Sequence, residues 1–245
     1  MKKSDAKTVL KRFLSFPLTS SEGILATFAA LPGAISHFDG GKNNFVYIPG
    51  SREDRVLLVA HADTVWDSYY GEGEYNGSFT ERFGVYRSAN PACGIGADDR
   101  AGCAILWLLK DCGHSLLIVD GEEHGQIGSH HIADAYPVLF DELNRHSYML
   151  QFDRRNRDDY KVYSLPVGRD FTDFIERVTG YHDAGRSSRT DIVVLCRDIC
   201  GANLSIGYYD EHTAEESLVF RDWFQTLTLA EAFLAKPQTR YPLLH

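Results

Sequence analysis

A chain of 245 residues is long enough for one large α/β domain or two small ones, with a sizeable buried core. Its formal charge of −9 at pH 7 argues against nucleic acid or an anionic membrane as a main partner. No stretch approaches the ~20 apolar residues of a membrane span, and the opening MKKSDAKTVLKRFLSF lacks the apolar run of a signal peptide. Five cysteines (Cys93, Cys103, Cys112, Cys196, Cys200) contain no C-x-x-C pair. Reduced thiols in a cytoplasmic protein are expected.

Asp5 to Phe16 carries Val9, Leu10, Phe13 and Leu14 at helical spacing. Ser21 offers an N-cap to a second helix through Ile24, Leu25 and Phe28, closed by Pro32-Gly33. Short β-like runs follow at Phe45 to Ile48, Arg55 to Ala60 and Phe83 to Tyr86. The second of these, RVLLVA, is nearly continuous in apolar residues, as a strand buried on both faces requires. Ala101 to Leu109 reads as a buried helix, and Ser115 to Val119 and Tyr148 to Phe152 as core strands. Further on, Phe171 to Val178 looks helical, Asn203 to Tyr208 strand-like, and Ala214 to Ala235 a long closing helix. Strands alternating with helices predict an α/β fold of three αβα layers, with helices on both faces of a mixed central sheet. No repeat or linker breaks the chain, so residues 1–245 are expected to form one domain.

Metal-ligand residue types stand just after the predicted core strands, where open α/β sheets place their sites. RVLLVA runs into His61-Ala62-Asp63, SLLIV into Asp120-Gly121-Glu122-Glu123, and YMLQF into Asp153. LSIGYYDEHTAEE puts His212 a few residues beyond a strand. Between the first two lies the glycine-rich turn Gly94-Ile95-Gly96-Ala97-Asp98-Asp99-Arg100-Ala101-Gly102. Taken singly, each piece has an ordinary explanation. A lone histidine is usually a hydrogen-bonded core or loop residue, and Asp-Asp before a helix is usually an N-cap. It is their conjunction that points to a metal site.

The order H-x-D, G-A-D-D-R-A-G, G-E-E-x-G, F-D, H resembles the co-catalytic di-zinc exopeptidases, a superfamily of aminopeptidases, carboxypeptidases and amidohydrolases. Glu122 to Ser129 (EEHGQIGS) matches its E-E-x-G-x-x-G-[A/S], and the resemblance runs from about Val56 to the end. It implies two divalent ions, zinc first and manganese or cobalt as substitutes, bridged by Asp98. His61 and Asp153 complete one metal's ligands, and Glu123 and His212 the other's. Glu122 matches the general base acting on a metal-bridged water, and Asp63 the carboxylate that orients His61. The peptide after the bridging aspartate, Asp98–Asp99, is expected to be cis. Spacing alone puts His61 and Asp63 on one side of an extended segment, so their direct contact requires a bend.

Chemistry supports the same picture. Imidazole and carboxylate suit zinc. Three carboxylates leave two divalent ions with a net +1, which favours hydroxide over water at the site. Relatives often insert a lid domain between the last two ligands. Here 58 residues (positions 154 to 211) separate Asp153 from His212, too few for a typical extra domain beside the core elements. A minimal catalytic domain is therefore expected, with loops at Tyr69 to Arg82 and Asp183 to Arg189 its most cleavable points. Ser187-Ser188-Arg189-Thr190-Asp191 departs from the small-residue run of relatives. Arg186 or Arg189 either meets a substrate carboxylate or is solvated. His124, His130 and His131 are read as loop and helix residues. The expected substrate is a peptide or small amide cut at a chain end, with an aminopeptidase favoured because the site is rich in carboxylates (Glu122, Asp153, and Asp99 or Asp191) able to hold a free amine. The alternatives are an N-acyl deacylase, a carboxypeptidase and a non-catalytic relative; none of the ligands is lost, which argues against the last.

Overall fold

Residues 2–68 and 77–244 are described by the computed structural model of the chain. From edge to edge, the main sheet runs β1 (Ile35–His37), β2 (Phe45–Ile48), β6 (Ser115–Val119), β3 (Leu57–His61), β7 (Met149–Arg154), β10 (Gly201–Ser205), β8 (Asp159–Lys161) and β9 (His182–Asp183). The central four, β6, β3, β7 and β10, are parallel to one another, while β2 and β8 flank them antiparallel. A smaller antiparallel sheet is ordered β11 (Tyr208–Tyr209), β12 (Ser217–Val219), β5 (Val85–Ser88), β4 (Phe79–Arg82).

The helices are α1 (Lys3–Leu14), α2 (Glu22–Ala29), α3 (Ala97–Leu109), α4 (Ile127–Ala135), α5 (Pro137–Leu143), α6 (Arg169–Thr179), α7 (Asp191–Leu195) and α8 (Phe220–Leu234). They cover both faces of the mixed sheet, giving the three-layer architecture expected. Every residue of β3, β6 and β10 is buried, as parallel strands covered on both faces must be. Helix α3 lies directly on β3 and β7. Gly102 makes that approach possible, because a Cβ there would fall 2.1 Å from the Phe152 carbonyl oxygen.

Long-range pairing overrode the local pattern in four places. The closing helix begins at Phe220, not Ala214, because Ser217–Val219 is drawn into the small sheet against β5. The run Phe83 to Tyr86 is not one strand. Phe83 and Gly84 form the positive-φ turn between β4 and β5, and the Phe83 ring is fully exposed. Asn203 to Tyr208 divides between the two sheets at Ile206-Gly207. Ser21 stands at the N-cap of α2, yet its hydroxyl donates to Asp120 Oδ2 (2.9 Å) and makes no cap bond. All five cysteines are free. Among the described residues, no helix is long and apolar enough to cross a membrane.

Candidate metal centre

Strands β6, β3 and β7 are parallel neighbours, so their C-terminal ends deliver Asp120 to Glu123, His61 and Asp153 side by side. The glycine-rich turn brings Asp98 to the same edge. Gly96, at φ 64°, reverses the chain immediately ahead of α3, and the Asp98–Asp99 peptide is cis. His212 arrives from the loop between β11 and β12.

All five expected ligands meet. Asp98 lies between the two imidazoles, with Oδ1 3.1 Å from His61 Nε2 and Oδ2 3.2 Å from His212 Nε2. Beyond His61, Asp153 Oδ1 is 3.4 Å from Nε2. Beyond His212, Glu123 Oε1 is 3.0 Å from Nε2. The residues thus form a row, Asp153, His61, Asp98, His212, Glu123.

The supporting residues are equally ordered. The chain does bend after His61: its Nδ1 lies 3.3 Å from Asp63 Oδ1 and 3.2 Å from the Asp63 carbonyl. The two oxygens of Asp63 also accept the amides of Glu122 and Glu123, both at 3.2 Å. One buried carboxylate therefore orients the histidine and the Glu-Glu turn together. Asp99 is wholly buried and accepts the His61 amide (3.1 Å) and the Gly102 amide (3.0 Å). It tightens the structure and does not face the cavity. Asp191, also buried, accepts the Ser129 hydroxyl at 2.7 Å. Neither residue is therefore placed to meet a substrate amine. Outside the row, His124 binds Asp67 Oδ1 at 2.8 Å, and His130 and His131 lie on α4.

A cavity of about 160 Å³ opens over the row, walled by Asp98, Glu122, Glu123, Asp153 and His212. Arg189 also lines it, whereas Arg186 does not. Burial pushes the Glu122 carboxyl well above the usual carboxylate range, against the pull of the His61 charge. Three contributors were not foreseen from the sequence. Glu216, buried, accepts the amides of Gly96 (2.7 Å) and Asp98 (3.1 Å) and so fixes the turn that presents Asp98. The Tyr163 hydroxyl, on the cavity wall, accepts from Asn203 Nδ2 at 2.9 Å. Tyr208 donates to Asp153 Oδ1 at 3.4 Å. The acidic TAEE segment after His212 gave a faint signal for Glu216. Nothing local marked the tyrosines.

The donor set fits a pair of divalent cations. Two imidazoles and three carboxylates are the ligand types of zinc-class ions, and the site already favours positive charge. Asp98 and Glu123 raise the His212 pKa to about 11. At His61 burial opposes the charged form, but Asp153, Asp63 and Asp98 outweigh it and hold the pKa well above the ordinary value. Burial and the Asp98 charge lift Asp153 to about 6. Glu123 Oε1 is buried with no donor aligned to bond it.

The α/β fold and this cluster define a metal-dependent peptidase. The chain belongs to peptidase family M28, whose sequence profile matches residues 43–192. Among solved structures, it is similar to aminopeptidase PepT from Bacillus cereus, at 14% identity and a TM-score of 0.69, covering 96% of this chain and 98% of that one. A tripeptidase from Staphylococcus aureus aligns at 12% identity and a TM-score of 0.67, covering 96% of this chain and 100% of that one. Aminopeptidase APDkam598 from the archaeon Desulfurococcus kamchatkensis aligns at 13% identity and a TM-score of 0.65, with 96% of each chain covered. No curated protein matches the sequence.

Proposed function

We propose that this metallopeptidase is an aminopeptidase in which His61, Asp98, Glu123, Asp153 and His212 hold two divalent ions, zinc by preference. The supporting observation is Asp98, which presents one oxygen to each imidazole and so stands where a bridging ligand belongs. When bound, the ions supply Lewis acidity and bring the pKa of a coordinated water toward neutrality. Glu122 takes a proton from the nucleophilic water and returns it to the leaving amine. Asp63 keeps His61 in one orientation through Nδ1, as the outer partner of a histidine ligand does. Tyr163 completes the wall, its hydroxyl hydrogen available to a substrate carbonyl because Asn203 acts as the donor in their mutual bond.

The substrate is a peptide with a free amine, held beside Glu122 and Asp153 on a cavity wall that carries five carboxylates. The solved relatives described as aminopeptidases and a tripeptidase support this choice. Cleavage of Ala-Ala and N-acetyl-Ala-Ala tests it. Acetylation is expected to abolish turnover. Equal cleavage of the acetylated peptide would instead identify a carboxypeptidase or deacylase.

Residues 1–245 form one catalytic domain without an inserted lid in this reading. The 58 residues between Asp153 and His212 already furnish β8, α6, β9, α7, β10 and β11. Limited proteolysis is expected to nick the 183–189 loop, at its exposed 183–186 end ahead of the stretch that Lys161 fastens, before any stable piece is released. The other expected loop, Tyr69 to Arg82, lies partly outside the described residues, and its end forms β4. A protease-resistant fragment lacking His212 would contradict the one-domain organisation.

A further inference from the structure

We propose that Arg189 binds a substrate carboxylate, so that the preferred substrates are short peptides carrying one close to the scissile bond. This deepens the aminopeptidase reading and rests on it. The cavity wall contains three arginines. Arg154 is committed to Asp159 through Nε (2.5 Å) and a terminal nitrogen (3.2 Å). Arg155 is paired with Glu211 at 2.7 Å. Arg189 has no carboxylate partner among the described residues, although it lines a cavity walled by Asp98, Glu122, Glu123 and Asp153.

Arg189 is exposed, yet the backbone that carries it is fastened on both sides. Before it, the buried Lys161 directs three hydrogen bonds into the loop, to the Ser187 carbonyl (3.0 Å), Ser187 Oγ (3.1 Å) and Ser188 Oγ (3.3 Å). After it, the Thr190 hydroxyl donates to Asp153 Oδ2 at 2.9 Å, tying the loop to the row of candidate ligands. The guanidinium therefore hangs from a positioned stretch of chain. A fixed fork of N–H donors suits a carboxylate, and a positioned one loses less freedom on binding. The carboxylate comes either from the C-terminus of a very short peptide or from an acidic side chain. Both present the same group.

The test uses metal-loaded Glu122→Gln protein as a non-hydrolysing host, with binding measured by calorimetry. Its ligands are Ala-Ala, Ala-Ala amide, Ala-Asp amide and Asp-Ala amide. The series is repeated with Arg189→Ala and Arg189→Lys added, and kcat/KM for the same peptides is measured in the Glu122 background. A carboxylate is expected to improve binding over Ala-Ala amide by roughly 10–100-fold. Arg189→Ala should erase that advantage without weakening the amide, and Arg189→Lys should restore part of it. An advantage confined to Ala-Ala identifies the C-terminus as the source. One shared by Ala-Asp amide or Asp-Ala amide identifies an acidic side chain. A ratio near one in the parent, or one that Arg189→Ala leaves unchanged, overturns the proposal. Failure of the aminopeptidase reading shows separately, as N-acetyl-Ala-Ala cleaved as readily as Ala-Ala whatever stands at position 189.

Discussion

Glu122→Gln is expected to keep its metal content and lose turnover by roughly 10²–10⁴-fold, the usual contribution of a general acid–base group. Glu122 stands on the cavity wall outside the row of candidate ligands, bonded by Gln126 Nε2 at 3.2 Å. The amide keeps the shape of the side chain and one acceptor oxygen for Gln126, but it cannot take up a proton. Since Asp63 holds the Glu122 and Glu123 amides together, the turn itself should survive the substitution. Elemental analysis beside kcat separates the possibilities. Loss of metal would make Glu122 a ligand, and near-normal turnover would remove it from the proton path.

Asp98→Ala should have the broader effect, because a single side chain faces both imidazoles. Metal content is expected to fall from about two ions per chain to one or fewer. Turnover should fall further than the roughly 10–100-fold that loss of an outer partner costs. Trp223 donates to the Ala101 carbonyl and Glu216 still grips the Gly96 amide, so α3 should remain seated and the circular dichroism spectrum unchanged. Two ions retained by Asp98→Ala would remove the bridging role. His61→Ala, by comparison, should weaken metal binding while leaving the Asp98–His212–Glu123 half intact.

The legible part of the sequence was the part governed by burial. RVLLVA, SLLIV and YMLQF are apolar because the parallel strands they become are covered on both faces, and their exits gave the positions of His61, Glu123 and Asp153. Those exits also located Asp63, although its contact with His61 depends on a bend that strand periodicity does not encode. What stayed hidden depends on pairing between distant segments. Ser217–Val219 looks like the start of a helix until it is paired with Val85 to Arg87. Glu216 gains its role only when the fold turns it onto amides some 120 residues away. Asp99 and Asp191 match the site by residue type, yet their hydrogen bonds turn them inward. Arg189 had two readings in the sequence; the fold puts it on the cavity wall while leaving it exposed, which residue type alone could not show.

Elemental analysis of the protein purified without chelator tests the central assignment most directly. Close to two divalent ions per chain, removable together with activity by a chelator and restored by zinc, is the result predicted from the row Asp153, His61, Asp98, His212, Glu123. A chain that holds no metal, and gains no peptidase activity when zinc, manganese or cobalt is added, would contradict it.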